Sequence, residues 1–125
     1  MEEEPKLEVL EVAHALFIAV DNAAEKITTP RHWEISRQLV KSSLSIGSNI
    51  SEGRAKEGQA EFLRFLNMAL GSTGELLYQI RAGHDVRAIA AAEAKSLKTE
   101  AERVKRMIRA LRKRIRDDLK PGGDA

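Results

Sequence analysis

The stretch from Ser43 to Glu75 constrains the fold of this 125-residue chain more than any other part of its sequence. It reads as the end of one helix, a turn bounded by Gly53 and Gly58, and most of a second helix. Apolar residues cover most of the circumference of that second helix. A helix with so wide an apolar surface is buried on more than one side. The chain must therefore provide or recruit several helices that pack around it.

The rest of the sequence also favours helices. Ala, Leu, Glu, Lys and Arg dominate, and β-branched runs bounded by turns are missing, so the predicted class is all-α. Thr28-Thr29-Pro30, Gly53 and Gly83 are the expected helix stops. The periodic segments predict helix 1 from about Pro5 to Ile27, helix 2 from His32 or Trp33 to Glu52, helix 3 from Gln59 to Ala82, and helix 4 from Val86 to Leu119.

Short connections between these segments predict an antiparallel up-down-up-down four-helix bundle with a long C-terminal helix. Residues 1–120 would form a single domain, and residues 121–125 a disordered tail. Helix 4 would be roughly 50 Å long, against about 35 Å for helices 1 and 3. This mismatch predicts either a break near Ala90–Ala92 or an end that overhangs the bundle.

Helix 2 carries two apolar stripes. One contains Ile35, Leu39, Ile46 and Ile50, and the other contains Trp33, Val40 and Leu44. Helices 2 and 3 together have more apolar surface than a monomeric four-helix bundle can bury. Contiguous exposed patches of this size are typical of a protein–protein interface. We expect a homo-oligomer; a monomer with a wide core is the alternative.

The sequence contains few features that would support catalysis or metal binding. The chain has no cysteine, which excludes disulfides and thiolate ligands. Glu11 and His14 form a Glu-x-x-His pair, but a di-iron bundle needs two such pairs and two further glutamates. Neither a nucleophile elbow nor a Walker loop is present. We therefore expect no catalytic residue, no metal and no cofactor. The acidic start and the absence of a long apolar run predict no membrane span and a cytoplasmic protein.

The end of helix 4 is the best candidate for function. Residues 103–116 carry eight Arg and Lys residues and no acid. Helical spacing places four of these cations in one stripe and two farther round, and a basic helical face can follow phosphates. Plain solvation, with compensation of the helix dipole, is the alternative. The candidate residues for nucleic-acid binding are Lys105, Arg106, Arg109, Arg112, Lys113 and Arg116.

Several blocks of the central stretch carry a family resemblance. Ser45-Ile46-Gly47-Ser48-Asn49-Ile50-Ser51-Glu52-Gly53, Glu61-Phe62-Leu63-Arg64-Phe65-Leu66, and Ala69-Leu70-Gly71-Ser72 with Glu75-Leu76 resemble the bacterial "four helix bundle protein" family. Its founding members are encoded in intervening sequences of large-subunit ribosomal RNA genes. The resemblance covers about residues 7–115. Gly47 stands where the family usually has proline.

The resemblance implies a cytosolic antiparallel bundle that assembles as a ring-like homopentamer and has no established catalytic activity. The chain is also distantly similar to the accessory variability protein of diversity-generating retroelements, a basic pentameric bundle that engages a reverse transcriptase and nucleic acid. The expected partners are further copies of the chain and RNA, DNA or a reverse transcriptase. A protein-only scaffold without nucleic-acid affinity is the alternative.

The residues that carry the resemblance also suggest a structural role. Asn49 and Glu52 end helix 2, and Ser72 and Glu75 lie in the middle of helix 3. Antiparallel pairing would bring the two groups near one another. We predict that they form hydrogen bonds, together with Arg64, that fix the register of the two helices, because a partly buried carboxylate needs such partners. Ordinary surface acids are the alternative.

Overall fold

The computed structural model of the chain describes residues 5–120, with the side chains of residues 8–120. These residues form four helices and a short 3-10 turn at Pro30–His32, with no strand among them. The predicted all-α class is therefore confirmed. The predicted tail at residues 121–125 lies outside the described residues. The helices are α1 (Pro5–Glu25), α2 (Trp33–Ala55), α3 (Gln59–Asp85) and α4 (Ala91–Leu119).

Two contacts between α2 and α3, one near an end and one in the middle, show that they run antiparallel. Gly53, near the end of α2, faces Phe62 near the start of α3, whereas Ser45 bonds to Ser72 farther along. Each helix packs on its neighbour in sequence, and α1 also packs on α4. This arrangement is the expected four-helix bundle with up-down-up-down order.

The buried interior is one cluster that draws on all four helices. The apolar repeat of α4 is buried along its whole length and forms a seam with the spacing of a coiled coil. The aliphatic repeat of α1 faces it. The buried seam of α4 consists of Ala94, Leu97, Ala101, Val104, Ile108, Leu111 and Ile115.

Two predicted helix stops are wrong. Gly53 lies inside α2, and a Cβ added there would come 2.7 Å from Phe62 Cδ1 and 2.8 Å from Phe65 Cβ. Gly83 lies inside α3, and its Cβ would come 2.7 Å from Ile89 Cδ1. Both glycines are buried and allow close packing, and neither has a positive φ, so neither is a left-handed cap. The positive φ in the α2–α3 turn belongs to Gly58, at 88°.

The fourth helix is shorter than the sequence predicts. Residues 86–90 form a turn in which the Gly83 carbonyl accepts hydrogen bonds from the N–H groups of Ala88 (2.8 Å) and Ile89 (3.1 Å). Arg87 has a φ of 65° there. Helix α4 starts only at Ala91, within the predicted break region, and has 29 residues against 27 in α3. The two helices are nearly equal in length, so the structure shows the first of the two predicted alternatives, a break, and not an overhang of α4 over α3.

Candidate polyanion-binding surface along the fourth helix

Positions next to the buried seam of α4, on its flank toward α3, are mostly cationic. They recur at spacings of three and four residues, which keeps them on one side of a helix. Glu102 is the acid that interrupts the series. The series spans about 32 Å at 1.5 Å per residue. We name it the basic stripe; it consists of Lys95, Lys98, Lys105, Arg109, Arg112 and Arg116.

A groove of about 720 Å³ runs between the second half of α3 and the first half of α4. Helix α3 contributes Leu77, Ile80, Arg81 and His84. Ile80 is buried and Leu77 half-buried, so the floor is apolar while the walls are charged. We name it the α3–α4 groove. Its lining from α4 is Ala91, Ala94, Lys95, Lys98, Glu102, Lys105, Arg106 and Arg109.

A second depression, of about 590 Å³, lies farther along α4. We name it the C-terminal cleft. Of the residues that the structure describes, only charged ones line it, and Arg109 belongs to both depressions. The six residues predicted to bind nucleic acid are thus divided between these two adjacent depressions. The C-terminal cleft is lined by Arg109, Arg112, Lys113, Arg116, Asp117 and Lys120.

Four of the six predicted cations have neither an ion pair nor a side-chain hydrogen bond among the described residues. Among residues 8–120, no carboxylate oxygen lies within 4.0 Å of the charged groups of Lys105, Arg106, Arg109 or Arg116. Unpaired surface cations attract mobile anions, which a bound polyanion displaces or replaces.

Lys113 is paired within its own helix. Its Nζ lies 2.9 Å from Asp117 Oδ2, and Lys120 Nζ lies 3.3 Å from Asp117 Oδ1. The hydrogen bond from Lys113, followed by that from Lys120, lowers the pKa of Asp117 below its usual value. Asp117 therefore reduces the positive potential at this end of the C-terminal cleft.

Arg112 connects two helices. Its Nη1 donates a hydrogen bond to Asn67 Oδ1 of α3 at 3.1 Å, and its Nε is buried without an acceptor among the described residues. A guanidinium held in this way is less free to follow a phosphate than its neighbours. Arg112 acts chiefly as a bridge between α3 and α4, a role that the sequence did not predict.

Sequence reasoning missed the basic residues nearest the α3–α4 turn, both those at the start of the basic stripe and those that α3 contributes to the groove. Lys95 and Lys98 continue the spacing of Lys105 and Arg109 toward the start of α4, so the periodicity contained this signal. Arg81 and His84 belong to α3 and reach the groove only through tertiary packing. His84 Nδ1 lies 3.5 Å from Asp85 Oδ1.

The predicted polar network is smaller than expected. Ser45 Oγ and Ser72 Oγ are 2.8 Å apart and link α2 to α3. Asn49 Nδ2 donates to the Ser45 carbonyl oxygen at 2.9 Å and to Ser45 Oγ at 3.1 Å. The structure thus places Asn49 and Ser72 in one hydrogen-bonded group. Ser45, which the prediction omitted, connects them.

The charged residues assigned to that network lie outside it, contrary to expectation. Glu52 is exposed, and its Oε1 lies 4.0 Å from Nζ of Lys56, the residue that follows α2. Arg64 pairs with Glu61 at 3.1 Å, which raises the pKa of Arg64 and lowers that of Glu61. Glu75 is exposed, with no hydrogen bond or ion pair within the described part of the chain. These positions face outward, so water solvates their charges and they need no buried partner.

Large apolar side chains are exposed on the outer faces of α2 and α3. Trp33 is 62% exposed and Leu44 50%, both from the second stripe of helix 2. On α3, Met68 is 45% and Tyr78 66% exposed. A single protomer does not bury these side chains. We name this set the outer apolar surface.

No group of three or more His, Cys, Asp or Glu side chains is placed to hold a metal ion in residues 8–120. Within residues 5–120, no helix combines the length and the hydropathy needed to cross a membrane.

Comparison with known proteins identifies the family. The profile of the 23S rRNA-intervening sequence proteins matches residues 5–110. A crystal structure from Bacteroides thetaiotaomicron, of a protein of unknown function from the S23 ribosomal protein family, superposes with a TM-score of 0.82 at 20% identity. The alignment covers 88% of this chain and 99% of that one, and it supports the same fold. No curated protein matches the chain. With its profile match spanning most of the sequence, the chain belongs to the 23S rRNA-intervening sequence protein family.

Proposed function

We propose that this protein is a non-enzymatic, cytoplasmic interaction module that assembles with copies of itself and binds nucleic acid through the basic end of α4. The observation that carries the proposal is the group of unpaired cations Lys105, Arg106, Arg109 and Arg116. Each cation that neutralises a phosphate releases condensed counterions, which favours binding at low salt. No aromatic side chain lines the C-terminal cleft, so we expect little discrimination between sequences.

Salt dependence gives the proposal a magnitude. Four phosphate contacts on duplex DNA predict a slope of about −3.6 in log affinity against log salt concentration. Affinity would then fall by about 150-fold between 50 and 200 mM salt. An assembly that presents several α4 ends to one nucleic acid would have a steeper slope.

The test is fluorescence anisotropy with a labelled 20-base-pair duplex and a single-stranded RNA across a salt series. Replacing Arg109 and Arg116 with glutamine should reduce the duplex slope by about 1.8 for each protomer in contact. The control replaces Lys41 and Arg54, two exposed cations of α2, with glutamine. Equal losses in both double variants, or unchanged binding in the first, would remove the C-terminal end of α4 from consideration.

Self-assembly is supported by the outer apolar surface. We propose a ring of five protomers, the assembly that the family resemblance implies. Light scattering after size-exclusion should then give about 70 kDa, five times the 13.9 kDa chain mass. Leu44→Glu with Met68→Glu should reduce this mass, whereas the control Ser96→Glu on exposed α4 surface should not. A wild-type protein that elutes as a clean monomer contradicts the proposal.

A protein-only scaffold is the second candidate. The apolar floor of the α3–α4 groove favours it, because a nucleic-acid backbone gains nothing from buried aliphatic surface. Its partner would include a nucleic-acid enzyme such as a reverse transcriptase. Salt-insensitive binding to such an enzyme, without affinity for RNA or DNA, would select this alternative.

A further inference from the structure

The α3–α4 groove and the C-terminal cleft differ in chemistry although they share Arg109. Charged residues alone line the cleft, as suits a phosphate chain. The groove combines a similar set of cations with an apolar floor at Leu77, Ile80 and Ala94. A site that combines cations with an apolar floor favours a ligand that has both an apolar side and anionic groups.

The groove exists because small residues start α4. Ala91 and Ala94 face Leu77 and Ile80 of α3, and their methyl groups do not fill the angle between the two helices. The lining on α4 extends from Ala91 to Arg109, about 27 Å at 1.5 Å per residue. A helix of about 18 residues has this length. The groove is thus long and open, unlike a compact small-molecule pocket.

Basic residues line both walls, although on the α3 side Asp85 lies 3.9 Å from Arg81 Nε and 3.5 Å from His84 Nδ1, so the α4 wall is the more positive. Arg81 and His84 stand on the α3 side, and Lys95, Lys98 and Lys105 on the α4 side. The one acid in the lining, Glu102, lies 3.9 Å from Lys98 Nζ and neutralises only part of this charge. An occupant that carries acidic residues on both sides of an apolar strip would pair with both walls.

We infer that the α3–α4 groove binds an acidic amphipathic helix of a partner protein. Apolar side chains at spacings of three and four would cover the floor, as in other helix-in-groove complexes. Glu or Asp residues on either side would meet Arg81 and Lys98. Single-stranded nucleic acid fits less well, because no Phe, Tyr or Trp in the lining can stack on its bases. The inference does not depend on nucleic-acid binding by α4, although Lys105, Arg106 and Arg109 belong to both proposed sites.

The test uses three fluorescein-labelled 18-residue peptides in an anisotropy titration. The first is helical, with Leu at heptad positions a and d and Glu at the flanking positions. The second replaces every Glu with Gln. The third has the composition of the first, permuted to remove the apolar strip. Wild-type protein should bind the first at least about tenfold more tightly than either of the others.

Matched variants locate the site. Arg81→Glu with Lys98→Glu should weaken binding of the first peptide at least about tenfold. Arg54→Glu with Arg103→Glu makes the same change of charge outside the groove and should have a smaller effect. Ala91→Trp leaves the charges unchanged but fills the groove, and should also weaken binding. Ala91 is exposed, so the bundle tolerates this substitution.

Three results would overturn the inference. Equal affinity for the permuted peptide would mean that only diffuse charge attraction operates. Equal losses in the two charge-reversal variants would place binding elsewhere. If a single-stranded oligonucleotide displaced the peptide, and Arg81→Glu with Lys98→Glu weakened that oligonucleotide as much as the peptide, the groove would be a nucleic-acid site.

Discussion

Replacing Gly53 with alanine tests the close contact between α2 and α3. The new methyl group would lie 2.7 Å from Phe62 Cδ1 and 2.8 Å from Phe65 Cβ. The second contact is the more severe, because Phe65 Cβ is attached directly to the backbone of α3 and cannot move by a rotamer change. Relief of the clash requires the two helices to separate or shift.

Gly74 provides the matched control. It is exposed in the middle of α3, and a Cβ added there meets nothing within 4 Å. Alanine is favoured over glycine in a helix by about 1 kcal/mol, so Gly74→Ala should stabilise the protein by about that amount. At Gly53, near the end of α2, the gain in helix propensity from the same substitution is at most about 1 kcal/mol. Overpacking there costs about 1–3 kcal/mol.

The free energies of unfolding of the two variants should therefore differ by about 1–3 kcal/mol, with Gly53→Ala the less stable. For a chain of this size, that is a difference of about 4–12 °C in Tm. Thermal and urea unfolding followed by circular dichroism measure it, at one protomer concentration because assembly shifts apparent stability. If Gly53→Ala were as stable as Gly74→Ala, that result would contradict the close approach of α2 and α3 at Gly53.

Two further predictions concern side-chain contacts. A double-mutant cycle on Ser45→Ala and Ser72→Ala should give a coupling energy of about 0.5–1.5 kcal/mol, because each hydroxyl satisfies the other between α2 and α3; a coupling near zero would show that they do not bond. The pKa of Asp117, followed by NMR, should rise toward its usual value in Lys113→Ala, because the hydrogen bond from Lys113 is the largest cause of its depression. The stability that Asp117 contributes is present above its unfolded pKa and is lost as the pH falls through the lower folded pKa. An unchanged pKa in Lys113→Ala would contradict this pairing.

Periodicity predicted the elements of the fold because each buried stripe is a local property of its helix. The seam of α4 could be read from residues three and four apart, without knowledge of the other helices. The roles of Gly53 and Gly83 could not be predicted in the same way. A helix-capping glycine and a glycine at a close contact look alike in sequence, and the deciding atoms belong to Phe62, Phe65 and Ile89 on other segments.

The same distinction applies to the candidate site. The basic stripe lies on one helix, so its spacing predicted most of it. The α3–α4 groove could not be predicted in this way, because it takes the register of two antiparallel helices to place Arg81 and Lys98 on its two walls. Glu52 and Glu75 were misplaced for a related reason. Their positions on the helices are compatible with burial or exposure, and only the rotation of each helix in the bundle decides between them.

The order of the helices around the bundle also affects how the chain folds. Three interfaces join helices that are consecutive in sequence, and their connections are short. The fourth joins α1 to α4, where Val9 and Leu111 line one depression although about one hundred residues separate them. Closing so long a loop carries the largest entropy cost of the four interfaces. We therefore expect the α2–α3 hairpin to be structured in the folding transition state and the α1–α4 interface to form last.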